Sequence, residues 1–459
     1  MEDFQIILSE RGKELVLHKT NKYRFRRQRE DGILKWLSTN KVCSTSVLTT
    51  SDKKSICEFS GEHICSENSV QKIERQILRE NCKRKCEEDL STKPLKMIRT
   101  ELLNNTVTEI VKEDIKTVRK TMYEKRRKHY PTFPKSFDEA IDQLKNLHED
   151  DFFQFKGNQF VHVHDDKNII CLTTSSNINL LAESTEFFAD GTFDYAPRFF
   201  LQLYTIHCYK NRFYVPLVYF FLPDKSKQTY IEMWRFLLKI SLKLSNRSFD
   251  IKQLHLDFEI GAHEALRNIF PGAIIETCRF HLGQSWWRKI NGGSQLRTAY
   301  NNQNDELSKW LKLFLGLPFI PYLEVEDAFV ELMTVCPSPV GNLFSDYVLS
   351  NYIEPDALFP PNLWASRPTL NPRTTNGAES FHRTYNSQFH NTHPPIHLVI
   401  SILKETQADT ETIISSINKG RKKIVAKKDL DRIKLTIQSY NDYKNHHNIL
   451  QYLKTISCY

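Results

Sequence analysis

Between residues 152 and 290 the chain consists of long apolar runs, rich in β-branched and aromatic residues and broken by short polar turns. Their order constrains the fold more than any other feature of the sequence. Residues 159–163 and 169–172 read as strands. A further strand carries Phe187-Phe188-Ala189-Asp190-Gly191-Thr192-Phe193, and two more, 199–209 and 213–222, flank Lys210-Asn211-Arg212, whose composition favours a hairpin. An amphipathic helix over about 228–244 follows, then a strand ending at Asp257, a helix to Phe270, a turn at Pro271-Gly272 and a strand over 273–278. From the Asp190 strand onward the order is β-β-β-α-β-α-β.

That order matches a ribonuclease H-like mixed sheet of the α/β class, in which acids at the ends of the first and fourth strands come together. Asp190 closes an apolar run, and Asp257 closes Leu254-His255-Leu256-Asp257. A third acid, Glu379, stands in Thr375-Asn376-Gly377-Ala378-Glu379-Ser380-Phe381-His382-Arg383, which reads as a capped helix start. Three hard oxygen donors at wide separation suit Mg²⁺ or Mn²⁺. A pair of such ions can clamp the attacking and leaving oxygens of a phosphodiester. Asp190, Asp257 and Glu379 are therefore the expected metal ligands and catalytic residues. Glu259 reads as a solvated residue in the first turn of a helix.

The flanks differ in composition. Residues 1–66 alternate short β-like runs with polar turns and make a small module whose thin core a metal would staple, with Cys43, His63 and Cys65 as ligands and Cys57 nearby. Residues 67–150 form a charged, helix-forming linker region that includes Lys125-Arg126-Arg127-Lys128, read as a solvated helix face and a weak nuclear-import signal, and the pair Cys82 and Cys86. After the core at 151–290, residues 291–370 read as a helical insertion that delays Glu379, and 371–459 as a helical C-terminal region. At 459 residues the chain is too long for one ordinary core. Its formal charge of +9 fits a phosphate-rich partner. No segment approaches the apolar length of a membrane span, which makes an intracellular protein with no membrane partner the expectation.

With these motifs in view the chain resembles a known family. Asp190-Gly191-Thr192-Phe193, Asp257-Phe258-Glu259 followed by Ala262 and Ala265, Phe270-Pro271, Cys278-Arg279-Phe280-His281 with Gln284, and the block around Glu379 are similar, in order and spacing, to the transposase domain of Mutator-like elements. The resemblance implies a DDE transposase that uses two Mg²⁺ or Mn²⁺ ions at Asp190, Asp257 and Glu379 to cut and join DNA. It also implies double-stranded DNA partners (element terminal inverted repeats and a target), a homo-oligomer in the DNA complex and a nuclear location. His382 and Arg383, beside Glu379, and Arg288 and Lys289 are expected to contact DNA. Cys278 and His281 form a CxxH pair that either positions the active site or ligates a metal. Trp286 and Trp287 are read as mostly core.

The N-terminal module separately resembles a FLYWCH-type zinc finger. Trp36 and Cys43 match, and Gly61-Glu62-His63-Ile64-Cys65 stands where that family's closing pair belongs. Two positions depart from the pattern. Ser38 replaces a cysteine and Cys65 replaces a histidine; a cysteine serves Zn²⁺ equally well, whereas serine is a poor ligand. Either Cys57 substitutes or the site is degraded. The alternative to a transposase is a domesticated, catalytically silent DNA-binding protein derived from one, and a nuclease without strand transfer is a third reading.

Overall fold

The computed structural model describes residues 4–89, 92–104, 108–147, 150–302, 304–370 and 376–457. They form two compact units, Met1–Thr132 and Phe133–Tyr459. The charged stretch that composition sets apart as a linker is divided between them.

In the first unit, six strands run as an antiparallel meander in chain order: β1 (Phe4–Leu8), β2 (Glu14–His18), β3 (Asn21–Gln28), β4 (Leu34–Ser38), β5 (Ser46–Thr49) and β6 (Ile56–Ser60). One face buries Val16, Tyr23, Leu34, Trp36 and Val47; the other sets Ile7, Leu15 and Leu17 against Ile73. Ile73 belongs to α1 (Val70–Glu88), which packs with α2 (Pro94–Asn104) and α3 (Lys112–Arg127) around Leu78, Met97, Ile98, Val118 and Met122. Cys82 and Cys86 point into this helical core, and no third ligand joins them among the described residues. The basic run is not a uniform solvated face. Arg126 is buried and donates to the carbonyls of Asp89 and Thr92, and Lys125 pairs with Glu87 at 2.6 Å. These two cations terminate α3 against its neighbours.

The second unit is built on a mixed sheet. It opens with α4 (Phe137–Leu147), a two-stranded hairpin of β7 (Gln154–Phe155) and β8 (Asn158–Gln159), and the strands β9 (Val161–Val163) and β10 (Ile170–Leu172). Then come α5 (Ser175–Ala182), β11 (Glu186–Thr192), β12 (Gln202–Lys210), β13 (Phe213–Leu222), α6 (Lys227–Ser245), β14 (Gln253–Leu256), α7 (Ile260–Ile269) and β15 (Ile274–Thr277). The short helix α5, capped by the Thr174 hydroxyl on Asn177 N, has no counterpart in the sequence reading. The sheet order is β15-β14-β11-β12-β13-β10-β9. β11, β12 and β13 are antiparallel to one another, whereas β14 lies parallel to β11 and β15 parallel to β14. Asn211 and Arg212 both adopt positive φ, 52° and 68°, which gives the two-residue hairpin turn that matches strand twist.

Alternation along the strands feeds two cores. One face contributes Tyr204, Ile206, Val215 and Leu217 and packs against Trp234 and Leu237 of α6 and Leu266 of α7. The opposite face contributes Leu203, Tyr219 and Phe221 and packs against Leu144 of α4 and Ile400 and Leu403 of a C-terminal helix, α14 below. The register slips between Ile206 and His207, opposite Pro216, which lacks the N–H that a regular ladder requires.

Beyond the sheet, α8 (Arg279–Gly292), α9 (Ser294–Asn301), α10 (Glu306–Leu313), α11 (Val325–Thr334) and α12 (Asn342–Val348) make the helical insertion. It shares the larger core through Trp286, Trp310, Phe314, Phe344 and Trp364. The chain closes with α13 (Asn376–Asn386), α14 (Ile396–Asn418), α15 (Lys427–His446) and α16 (Ile449–Ser457). No helix among the described residues is long and apolar enough to cross a membrane.

Candidate metal centres

Parallel pairing brings the two aspartates together. β11 and β14 are adjacent with Phe188 opposite His255, so two residues further along Asp190 and Asp257 stand side by side. A ring nitrogen of His281 from the first turn of α8 joins them, and the three ligand atoms all lie within 4.8 Å of one another. Asp190 is 5% exposed and Asp257 partly buried.

α13 reaches the same place from far along the chain, through a close approach that only glycine permits. A Cβ at Gly377 would sit 2.1 Å from the Tyr214 ring of β13. Thr375, at the start of the segment expected to cap this helix, lies outside the described residues. Two residues after Gly377, Glu379 faces Cys278 and His281, and these three form a second cluster with ligand atoms within 4.8 Å of one another. Cys278 Sγ is 3.8 Å from Glu379 Oε1. Glu379 thus comes to the edge of the site, with His281 common to both clusters, but it is not grouped with both aspartates.

His382, three residues after Glu379, is also turned inward. It was expected to face DNA; instead it is 6% exposed and its Nδ1 lies 3.1 Å from Asp190 Oδ2. The reason is helical spacing, which places residues i and i+3 on one face. Behind it, Nε2 is 3.0 Å from Thr205 Oγ1, which is 2.9 Å from His207 Nε2. His207 is buried, and burial drives its pKa down to about 3, so its ring is neutral. The Thr205 hydroxyl donates to the Asp190 carbonyl at 3.2 Å, so toward the two rings its oxygen is left to accept. Sequence reasoning missed Thr205 and His207. The only signal was their alternation on a strand adjacent to Asp190.

The charges in this pocket oppose one another. Burial tends to raise the pKa of Asp190, but its bond to His382, the charges of His382 and His281, and the Gly191 N–H prevail and hold it low. For Asp257 burial first, then the charges of Glu259 and Asp190, push the pKa up to about 7; the charges of His281 and Lys225 pull downward but do not prevail. For His281 burial works downward, yet contacts with Cys278 and the charges of Asp190 and Asp257 raise it to about 9. The metal-free pocket therefore retains protons where a cation would otherwise balance the acids.

Those observations test whether a hard cation fits. A buried carboxylate, a partly buried one whose pKa is raised to about 7, and a buried His281 Nδ1 with no hydrogen-bond partner are ligand atoms that a divalent ion would satisfy. Asp190 and Asp257 fit a divalent ion, with Glu379 close by on α13. Glu259 differs from the sequence expectation. It is mostly shielded from solvent and takes a hydrogen bond from Tyr230, whose hydroxyl also accepts from Gln202 Nε2 at 2.7 Å.

Of the residues expected to contact DNA, Arg383, Arg288 and Lys289 are exposed. Arg288 is bonded to Gln284 at 2.7 Å, and Lys289 lies over the Tyr347 ring. The tandem tryptophans separate: Trp286 is in the core, whereas Trp287 is 53% exposed on α8.

In the first unit, Cys43, His63 and Cys65 form a third cluster, again with ligand atoms within 4.8 Å. His63 Nδ1 is 3.3 Å from Cys43 Sγ and 3.4 Å from Cys65 Sγ, while Nε2 is 2.6 Å from the Tyr23 hydroxyl. That outer bond fixes which nitrogen faces the thiols. Hydrogen bonds from Thr45 pull the Cys43 thiol down to about 5, which favours the thiolate that metals bind. Cys57 is exposed on β6 and outside the cluster, so it does not substitute for the missing ligand. Ser38 is buried on β4, close enough to Cys65 to bond to it. The set is two thiols and one imidazole, which suits zinc.

No family model matches this chain, and no curated protein matches it.

Proposed function

We propose that this chain is a DNA transposase of the Mutator-like type: a divalent-metal-dependent nuclease and strand transferase with a ribonuclease H-like core, whose N-terminal zinc-binding module recognises DNA. One observation carries the reading above all. Asp190 and Asp257 lie side by side on parallel strands, and a helix beginning more than 100 residues later meets Asp190 through His382. The strand order β15-β14-β11-β12-β13 supports the ribonuclease H-like assignment, because it sets the first and fourth strands of the unit next to each other.

In this reading Asp190, Asp257 and Glu379 hold two Mg²⁺ or Mn²⁺ ions. Bound there, the ions supply Lewis-acid stabilisation to the attacking and leaving oxygens of a phosphodiester. The protein does the rest. His382 aims the Asp190 carboxylate, and Thr205, which also contacts His207, holds the His382 ring in place. His281 holds positive charge between the acids until a cation displaces it. α8 contains no carboxylate and exposes Trp287, Arg288 and Lys289, which suit phosphate and base contact, as does Arg383. Double-stranded DNA, a homo-oligomer in its complex and a nuclear site of action accompany this function.

The test is cleavage of a labelled duplex carrying an element end, with a target plasmid present. Cutting and joining in Mg²⁺ or Mn²⁺, absent in EDTA and in Asp190→Asn, is the expected outcome; equal activity of wild type and Asp190→Asn refutes it. Cutting without a joined product would leave a nuclease. A second reading, a silent DNA-binding protein, draws on the grouping of Glu379 with Cys278 rather than with both aspartates. DNA binding unaffected by EDTA, with no cut product at any metal concentration, would establish it.

A further inference from the structure

We propose that Cys278, His281 and Glu379 form a site for a thiophilic divalent cation, Zn²⁺ in the first instance, which excludes the hard cations of the acid pair by taking two of their neighbours. A thiol, an imidazole and a carboxylate are the donor set of a three-ligand zinc site with one open position. The distances agree with it. Zn–S near 2.3 Å and Zn–O near 2.1 Å at a tetrahedral angle put sulfur and oxygen about 3.6 Å apart, and Cys278 Sγ stands 3.8 Å from Glu379 Oε1. All three ligand atoms lie within 4.8 Å of one another. Two of the ligands come from one rigid element: Cys278 is the N-cap residue of α8 and His281 is in its first turn. The Cys278 thiol makes no capping bond to that helix, so it is directed elsewhere, toward Glu379. Cys278 is fully buried, and His281 Nδ1 is a buried ring nitrogen with no hydrogen-bond partner.

Binding would expel the thiol proton to solvent, since a coordinating thiol is deprotonated. Softness separates this site from its neighbour: thiolate selects zinc, whereas the Asp190–Asp257 pair selects Mg²⁺ or Mn²⁺. His281 belongs to both clusters and Glu379 is one of the three proposed catalytic acids, so zinc here would inhibit metal-dependent cleavage. That consequence rests on the proposed function; the site itself does not.

The experiment uses the full-length chain with Cys43→Ser and Cys65→Ser, so that the N-terminal thiols do not contribute, and Co²⁺ as a spectroscopic substitute. A thiolate-to-cobalt charge-transfer band that Zn²⁺ bleaches and that additional Cys278→Ser abolishes is the expected result. Glu379→Gln, which keeps the thiol, should retain the band and weaken Zn²⁺ binding by more than the ~10–100-fold that outer-sphere changes cost. Mn²⁺ binding, followed by electron paramagnetic resonance, should survive Cys278→Ser and shows that the unit is folded. A band absent from the starting protein, or unchanged by Cys278→Ser, overturns the proposal. Failure of Mn²⁺ to bind, with the cobalt band intact, would instead overturn the acid-pair reading alone.

Discussion

The two units carry metal-competent clusters of opposite construction. In the first unit Cys43, His63 and Cys65 come from the loops bordering β5 and β6, within 23 residues; their support Tyr23 belongs to the same small sheet, and Thr45 immediately precedes β5. In the second unit Asp190, Asp257, Cys278, His281 and Glu379 arrive from β11, the end of β14, α8 and α13, spread over 190 residues. A hairpin holds soft ligands with little long-range order, whereas the hard-ligand pocket exists only when the whole sheet and a distant helix are assembled. The first site should therefore fail locally and the second globally.

The largest expected effect is on the second unit's chemistry. Asp190→Asn should reduce metal-dependent DNA cleavage by ~10³-fold or more, on the scale of several kcal/mol of charge stabilisation, while Trp36 fluorescence and zinc content of the first unit stay unchanged. Loss of zinc in that variant would break the separation between the two sites.

Next comes acid–base behaviour. The Asp257 pKa rises from 3.8 unfolded to about 7 folded, so the folded state binds the extra proton and stability falls as pH climbs through that window. His281, raised from 6.5 to about 9, contributes stability below the lower value that is lost as pH rises to the upper one. The metal-free protein should thus lose stability with rising pH, by a few kcal/mol in total, and divalent cations should bind more tightly over the same range. Asp257→Asn should remove the lower part of that slope and raise the metal-free melting temperature at pH 7. A slope unchanged in Asp257→Asn would mean that another group sets it.

Gly377→Ala should cost about 1–3 kcal/mol, the usual penalty of overpacking, because the added methyl would meet the Tyr214 ring. Here the melting transition and cleavage should suffer together while the first unit holds its zinc. Cys43→Ser is the converse. It should abolish zinc binding to the first unit and weaken DNA binding, leaving Mn²⁺ binding by the acid pair intact. Tyr230→Phe removes the hydrogen bonds to Glu259 and from the buried Gln202 amide, and should cost about 1–3 kcal/mol in denaturant titration while leaving the first unit's zinc site unchanged.

Much of the second unit was legible in the chain. The hairpin at Asn211 and Arg212, the strand ending at Asp257 and the helix carrying Glu379 each announce themselves through turn residues and hydrophobic period, which are local properties. The N-terminal ligand trio was legible for the same reason. Less was readable where a side chain's direction depends on its neighbours. His382 and Arg383 are adjacent in sequence, yet one is buried against Asp190 and the other exposed, and Trp286 and Trp287 divide in the same way. Residue type alone could not tell them apart.

By itself the sequence determined the order of strands and helices from β11 to β15, the two strand-borne acids and the soft ligands near the N-terminus, because periodicity, turn chemistry and short-range spacing are written into contiguous residues. Only the tertiary structure decided that Glu379 stands with Cys278 and His281, that His382 meets Asp190 directly with Thr205 and His207 behind it, and that Glu259 is held by Tyr230 and is mostly shielded from solvent. Those pairings join residues tens to hundreds of positions apart, and only packing around a common sheet determines which donor meets which acceptor.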